Sequence, residues 1–541
     1  MIKNRVIMIG LDGGTFEVIN PLIEEGELPT FRFLKENGVH AVLLSTIPSI
    51  TGPAWLALAT GKNPGQTGII DFYNLKKKGD FKLYPITSED FKTNGAIWDY
   101  VSNVGGKVCV YNYPMLYPPY EVNGIMISGL GAPENLKQIV YPPELVTELK
   151  SFVKNYRIIV PYNRRKYTHK KDLFLKDLNR LLKQNIKIIK FLLEKEKWDL
   201  FIGVISATDF LQHYMWDVWE SYKCGKQEKF VEEFIKIWKK IDELIKFIVE
   251  TNKDTNFFIV SDHGFGELKY LFSINKWLKD KGYLIIKKNT TKHFVQANIL
   301  NKLKLYLEIL PSSLFNLLRK TFGKKGYHLI KLHEIVDFQK SKAFALDHAA
   351  YGHIYINHVG RNPKAPIRTK DELLKLREQI VNELKAFVEN SNMLNEIEIF
   401  YPENIYTGDK ISFLPDIFFN IDKMACEISP TNFDYTLKKY ENPNKTGTHR
   451  REGIFIAYGP IIKSGINLKE INLIDIVPTI LYMMGIPVPH DVDGKILRKI
   501  FTEKVSVKVK TIFVDIEAKS TKNKDVDEER IKKQLKDLGY L

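Results

Sequence analysis

Short apolar runs that stop abruptly at an aspartate or a histidine recur along this chain, and they constrain its architecture more than any other feature. Val6-Ile7-Met8-Ile9-Gly10-Leu11 ends at Asp12, and Phe257-Phe258-Ile259-Val260-Ser261 ends at Asp262-His263. Leu200-Phe201-Ile202-Gly203-Val204-Ile205 is followed by Asp209 and His213, and His449 precedes Ile454-Phe455-Ile456-Ala457-Tyr458. Runs of this length, separated by stretches of helical periodicity, read as buried strands of a mostly parallel sheet. Such a sheet gathers the carboxyl ends of its strands on one edge, where ligands bind. Residues hundreds of positions apart are therefore expected to converge there.

The alternation predicts an α/β fold, a mostly parallel central sheet flanked by helices. Strands are expected at 6–11, 39–44, 107–111 and 124–128, with long helices at 171–195 and 230–250. Residues 1–267 form the first part of the α/β core, and 130–175, rich in proline, read as an excursion over the site. From 268 to 344 the rhythm breaks. Amphipathic basic segments at 298–310 and 314–321 flank Pro311-Ser312-Ser313, which predicts a helical cap insertion. A membrane-surface hairpin is the competing reading, but the polar faces are not strongly segregated. The core resumes over 345–500, with Ile354-Tyr355-Ile356-Asn357 rejoining the sheet, and 501–541 is a charged linker and a C-terminal helix docked by Ile531, Leu535 and Leu538.

With 541 residues, 44% of them hydrophobic, the chain can bury a large core. Its net charge of +16 favours anionic partners. The lysines are spread along the chain and no nucleic-acid-binding motif accompanies them, so the basicity reads as compositional. The three cysteines, Cys109, Cys224 and Cys426, lack CxxC spacing. They exclude a disulfide framework or thiolate cluster and fit a reducing, cytoplasmic setting. Met1-Ile2-Lys3-Asn4-Arg5 runs into a strand, not a signal peptide, and no apolar run reaches the roughly 18 residues that span a membrane.

Each chemical signal is modest alone. Asp209 and His213, at i and i+4, share a helix face and can grip one metal ion, although such a pair is more often a surface pair. Asp262-His263-Gly264 is stronger, because core packing does not explain two adjacent ligand types at a strand end. Thr51, in Ser49-Ile50-Thr51-Gly52-Pro53, opens a helix. On spacing alone it reads first as a helix cap, and second as a hydroxyl beside a bound phosphoryl group. His449 lies between a Gly-containing loop and a strand, whereas His348, His353 and His490 read as structural or surface residues.

Taken in order, the set resembles the alkaline-phosphatase superfamily, in its type I phosphodiesterase / nucleotide pyrophosphatase branch. The matching pieces are Gly10-Leu11-Asp12-Gly13, Thr51-Gly52-Pro53-Ala54-Trp55, Thr60-Gly61-Lys62-Asn63-Pro64, Asp209 with His213, Ser261-Asp262-His263-Gly264 and Gly447-Thr448-His449. Asp475-Ile476-Val477-Pro478-Thr479-Ile480-Leu481 is similar to the helix that follows the last ligand. The resemblance implies two divalent metal ions, zinc or else manganese. Asp12, Thr51, Asp262 and His263 would hold one, and Asp209, His213 and His449 the other. It implies Thr51 as nucleophile, through a phosphothreonine intermediate, with the Gly52 backbone on the substrate.

The implied activity is metal-dependent hydrolysis of phosphate esters, a phosphodiesterase or nucleotide-pyrophosphatase reaction on a small-molecule, lipid or sugar phosphate ester. A phosphotransferase or phosphomutase of the same superfamily, or a phosphonate hydrolase, would use the same residues. A catalytically silent binding module fits less well with a complete ligand set. Two departures stand out. Thr67-Gly68-Ile69-Ile70-Asp71-Phe72-Tyr73 lacks the asparagine that nucleotide pyrophosphatases carry there, and Ala54 replaces another. The C/S-x-P-x-R signature of sulfatases is absent around Thr51.

Overall fold

The computed structural model describes residues 2–76, 81–226, 229–287, 335–346, 351–502 and 527–540. A nine-stranded sheet forms the centre. In chain order its strands are β1 (Val6–Leu11), β2 (Val39–Leu44), β3 (Val108–Tyr113), β4 (Gly124–Ser128), β5 (Val140–Tyr141), β6 (Leu200–Ile205), β7 (Asn256–Val260), β8 (Glu452–Tyr458) and β9 (Ile466–Asn472). Their spatial order is β9-β2-β8-β7-β1-β6-β3-β4-β5. β1 lies at the centre, parallel to β6 and β7. All residues of β1, β6 and β7 are buried, because helices cover both faces of a parallel sheet. The expected α/β architecture is the one formed.

Two strands run against the rest. β5 is antiparallel to β4, and β8 is antiparallel to both β2 and β7. The reversal of β8 matters for the site. Its amino end lies on the edge where parallel strands place their carboxyl ends, so His449, just before β8, arrives beside Asp209 and His263. β8 is locked to β7 by Ser261, whose hydroxyl accepts from Ile454 N at 2.7 Å.

The flanking helices follow their apolar periodicity. Lys171–Lys195 buries Phe174, Leu178, Leu181, Leu182, Ile188, Ile189 and Leu192 along one stripe. Val231–Thr251 does the same with Phe234, Trp238, Ile241, Ile245 and Ile248. One close approach fixes a glycine: a Cβ at Gly10 would lie 2.3 Å from the Trp55 ring. Glycine there lets the helix Thr51–Thr60 settle against β1.

The strand expected to rejoin the main sheet near Ile354 does not. Gly352–Ile356 joins Ala343–Phe344, Ile397–Phe400 and Ile417–Ile421 in a separate four-stranded antiparallel sheet. The helix Lys370–Glu389 adds Ile380 and Leu384 to that sheet's own core. An apolar strand pattern reports burial and not the identity of its neighbour, so the sequence alone could not choose between the sheets. The segments 298–310 and 314–321, and His348, lie outside the described residues. Among the described residues no helix is long and apolar enough to cross a membrane. All three cysteines are unpaired.

One half-buried acid away from the site makes stability pH-dependent. Asp99 accepts from Ala96 N at 3.1 Å and from the Tyr120 hydroxyl at 3.1 Å. Burial nevertheless pushes its pKa up to about 7. A carboxyl that binds its proton more tightly when folded stabilises the fold in acid, and loses that contribution as pH rises from its unfolded value near 4 to about 7. Asp99→Asn is therefore expected to gain on the wild type between pH 4.5 and pH 7.5 by on the order of 2 kcal/mol. Urea unfolding at the two pH values checks this. Parallel pH dependence in the two proteins would show that Asp99 keeps an ordinary pKa.

Candidate active site

Two turns, two helix starts and a short strand meet at the edge described above. Asp12 follows β1 in a turn closed by Gly13, whose φ of +67° is left-handed and suits glycine. Gly13 N donates to Asp262 Oδ1 at 3.1 Å, tying the ends of β1 and β7 together. The helix Ala207–Lys223 follows β6 almost at once, which puts Asp209 and His213 in its first turns. It is anchored to the same turn by Thr208, whose hydroxyl donates to Asp12 O at 2.6 Å, and by Gln212, which donates to Gly13 O at 2.8 Å. His449 lies on Gly447–Arg450, which pairs with Gly264–Glu267. Asp12, Thr51, Asp209, His213, Asp262, His263 and His449 are all buried.

Thr51 is not a helix cap. The cap position of Thr51–Thr60 is Ile50, which makes no side-chain cap bond, and Thr51 is the first helical residue. Its Oγ1 lies 3.2 Å from His263 Nε2. The free backbone N–H groups of this first turn, Gly52 included, form the kind of cradle that takes an anion.

The three histidines are held in one tautomeric arrangement. His213 Nδ1 contacts Gly447 O at 2.9 Å, His263 Nδ1 contacts Gly264 O at 3.0 Å, and His449 Nδ1 contacts Ser49 O at 2.9 Å. A carbonyl only accepts, so each Nδ1 must carry the proton, and each Nε2 presents a lone pair inward. His213 Nε2 and His449 Nε2 are 3.0 Å apart, and both face Asp209 Oδ1, at 3.3 and 3.6 Å. His263 Nε2 is 3.2 Å from Asp262 Oδ2 and 3.7 Å from Asp12 Oδ1. Two neutral nitrogen lone pairs at that distance repel unless a proton or a cation lies between them.

The carboxylates point the same way. Asp12 Oδ1, Asp209 Oδ1 and Asp262 Oδ2 are buried without a hydrogen-bond partner. Burial, with neighbouring carboxylates adding to it, pushes Asp12 and Asp262 well above the usual carboxylate range. Against the upward push of burial, His213 and His449 hold Asp209 below it. Burial also lowers His263 and His449, which favours their neutral, ligating form. Ligand atoms of Asp209, His213 and His449 form one cluster, and those of Asp12, Asp209 and His263 another, each within 4.8 Å. Both donor sets, imidazole and carboxylate, suit zinc or manganese. Asp209 stands in both clusters, whereas sequence reasoning placed it in one.

A cavity of about 30 Å³ opens beside His213 and His449. Its walls include Asp71, Phe72, the Lys445–Glu427 pair and Tyr540, none of which sequence reasoning selected. The ion pair is buried at 2.9 Å, and nothing local marks it, since Glu427 lies on the strand Cys426–Ser429 and Lys445 in a separate turn. Asn74, the first asparagine after the altered stretch, does not reach the site. Its Oδ1 accepts from Ile70 N and Asp71 N, at 2.7 and 3.1 Å, and closes that loop.

A mostly parallel α/β sheet, whose ligand edge carries two acid–histidine clusters and a threonine at a helix start, defines a class: a phosphoric ester hydrolase of the alkaline-phosphatase type. The sequence profile of the type I phosphodiesterase / nucleotide pyrophosphatase family matches residues 6–418, and the chain belongs to that family. Among solved structures it is similar to human ectonucleotide pyrophosphatase / phosphodiesterase 5, at 13% identity and a TM-score of 0.47 over 91% of this chain and 97% of that one. It is also similar to the murine protein, at 12% identity and a TM-score of 0.49 over 92% and 100%. None of the curated proteins matches it. The family match ends before His449, and the structure ties that residue to the site through its Nε2, 3.0 Å from His213 Nε2.

Proposed function

We propose that the protein hydrolyses phosphate diesters of small molecules in two in-line steps through a phosphothreonine at Thr51. The observation that carries this reading is the placement of Thr51 Oγ1, 3.2 Å from His263 Nε2, at a helix start beside two clusters that share Asp209.

His263, whose Nδ1–H donates to Gly264 O, presents Nε2 beside Thr51 Oγ1 and fixes the hydroxyl's position. Asp12, Thr51, Asp262 and His263 would hold one divalent cation, and Asp209, His213 and His449 the other. When bound, two such ions supply Lewis acidity that lowers the hydroxyl pKa and neutralises charge on the leaving oxygen. Thr51 Oγ1, its proton passed to solvent, then bonds to phosphorus as the ester P–O bond breaks, and the leaving alkoxide takes a proton from water and departs as an alcohol. The backbone N–H groups at the start of Thr51–Thr60 receive the non-bridging oxygens. Water cleaves the phosphothreonine, releasing the monoester and restoring the Thr51 hydroxyl.

The test is metal-free protein reloaded with Zn²⁺ or Mn²⁺ and assayed on aryl phosphate diesters, monoesters, phosphonate esters and aryl sulfates. Hydrolysis with the diester preferred is expected. A sulfate preference, or turnover that survives complete metal removal, would sink the proposal.

A further inference from the structure

We propose that the segment 528–540 is a strap whose Tyr540 occupies the His213/His449 side of the active site, so that it must be displaced before an ester can bind. The proposal rests on the phosphoesterase reading only for what the displaced space accommodates.

Several independent contacts dock the strap. The helix Glu528–Asp537 buries Ile531 and Leu535, and Leu538 follows them into the core. Arg530 donates to Gly131 O at 3.0 Å, and Gln534 donates to Ala132 O at 2.9 Å. Gly539, at φ +73°, ends the helix in the left-handed conformation and turns the chain inward. Tyr540 N returns to Leu535 O at 2.9 Å, which aims the side chain into the site.

There Tyr540 takes positions that a substrate would need. Its hydroxyl donates to Asp209 Oδ2 at 2.9 Å, the carboxylate common to both clusters. Its ring lies 5.1 Å from Phe72, 5.5 Å from His213 and 5.9 Å from His449. Lys445, a buried cation in the wall of the cavity, donates to Gly539 O at 3.0 Å, so a carbonyl of the strap occupies a position suited to an anionic oxygen. The space left, about 30 Å³, is of the order of a water molecule. Pockets for organic ligands are roughly tenfold larger. With the strap docked, the His213/His449 side admits water but no organic leaving group.

The experiment uses the full chain and two variants, Tyr540→Ala and the double substitution Arg530→Ala/Gln534→Ala. Phenylphosphonate, an aryl oxyanion with no ester bond to break, is titrated calorimetrically into each zinc-loaded protein. If the docked state holds about nine-tenths of the molecules, releasing it tightens apparent affinity about tenfold, and both variants are expected to show this. In the wild type, phenylphosphonate is also expected to speed amide exchange across 528–540. Affinity that is unchanged or weaker in both variants would overturn the strap. Tighter phenylphosphonate binding with no ester hydrolysed would leave the strap standing and remove the hydrolase reading. Ester hydrolysis with unchanged affinities would do the reverse.

Discussion

Replacing Thr51 by alanine is expected to lower metal-dependent diester hydrolysis by about three orders of magnitude or more. The reasoning is geometric. Oγ1 lies at a helix start 3.2 Å from His263 Nε2, and alanine at that position cannot form the covalent intermediate. The loss should fall on kcat, because the backbone cradle and the two clusters remain. Folding should be little disturbed, since the cap of that helix is Ile50 and its side chain makes no cap bond. Removing a buried hydroxyl and methyl costs about 1–2 kcal/mol, which a thermal melt can separate from the activity loss. Thr51→Ser should recover part of the rate. Full turnover by Thr51→Ala would mean that water, not Thr51, attacks phosphorus.

Asp209→Ala is expected to have the second large effect, and to differ from substitution of any single histidine. Asp209 contributes ligand atoms to both clusters. Its Oδ1 faces His213 and His449, and its Oδ2 receives the Tyr540 hydroxyl. Losing it should weaken zinc at both positions, by about a hundredfold or more for a lost carboxylate ligand. His449→Ala should weaken one position and leave Asp12, Asp262 and His263 able to bind. Zinc titration of the metal-free proteins distinguishes the two. Two zinc ions bound by Asp209→Ala with unchanged affinity would exclude the shared role. The burial that leaves Asp12 and Asp262 reluctant to ionise also predicts proton release when metal binds.

Much of the fold was legible because the relevant signals are local. The runs at 6–11 and 200–205 became β1 and β6 with those bounds, and Lys171–Lys195 formed over the residues its periodicity marked. Asp12 and Asp262 were legible for the same reason: each closes an apolar run, and a buried strand explains no carboxylate at its end. His449 was harder. It comes before its strand instead of after it, and only the antiparallel course of β8 brings it to the same edge.

Other parts carried no local signal. Glu427 and Lys445 belong to no motif, and only packing buries them together. Tyr540 lies 331 positions from the aspartate it touches. Nothing around it announces a site, since Leu538-Gly539-Tyr540 reads as an ordinary helix end.

The amino-acid order alone indicated the main strands and long helices of the core, the mostly parallel sheet and the residue types for ester chemistry, because periodicity and abrupt polar stops act over a few residues. Only the tertiary structure decided how these parts combine: Asp209 between two clusters, three Nε2 atoms turned inward by backbone carbonyls, and a C-terminal tyrosine against the site. Those arrangements depend on contacts between segments distant in the chain, and such contacts are set by packing the whole core rather than by any one segment's preference.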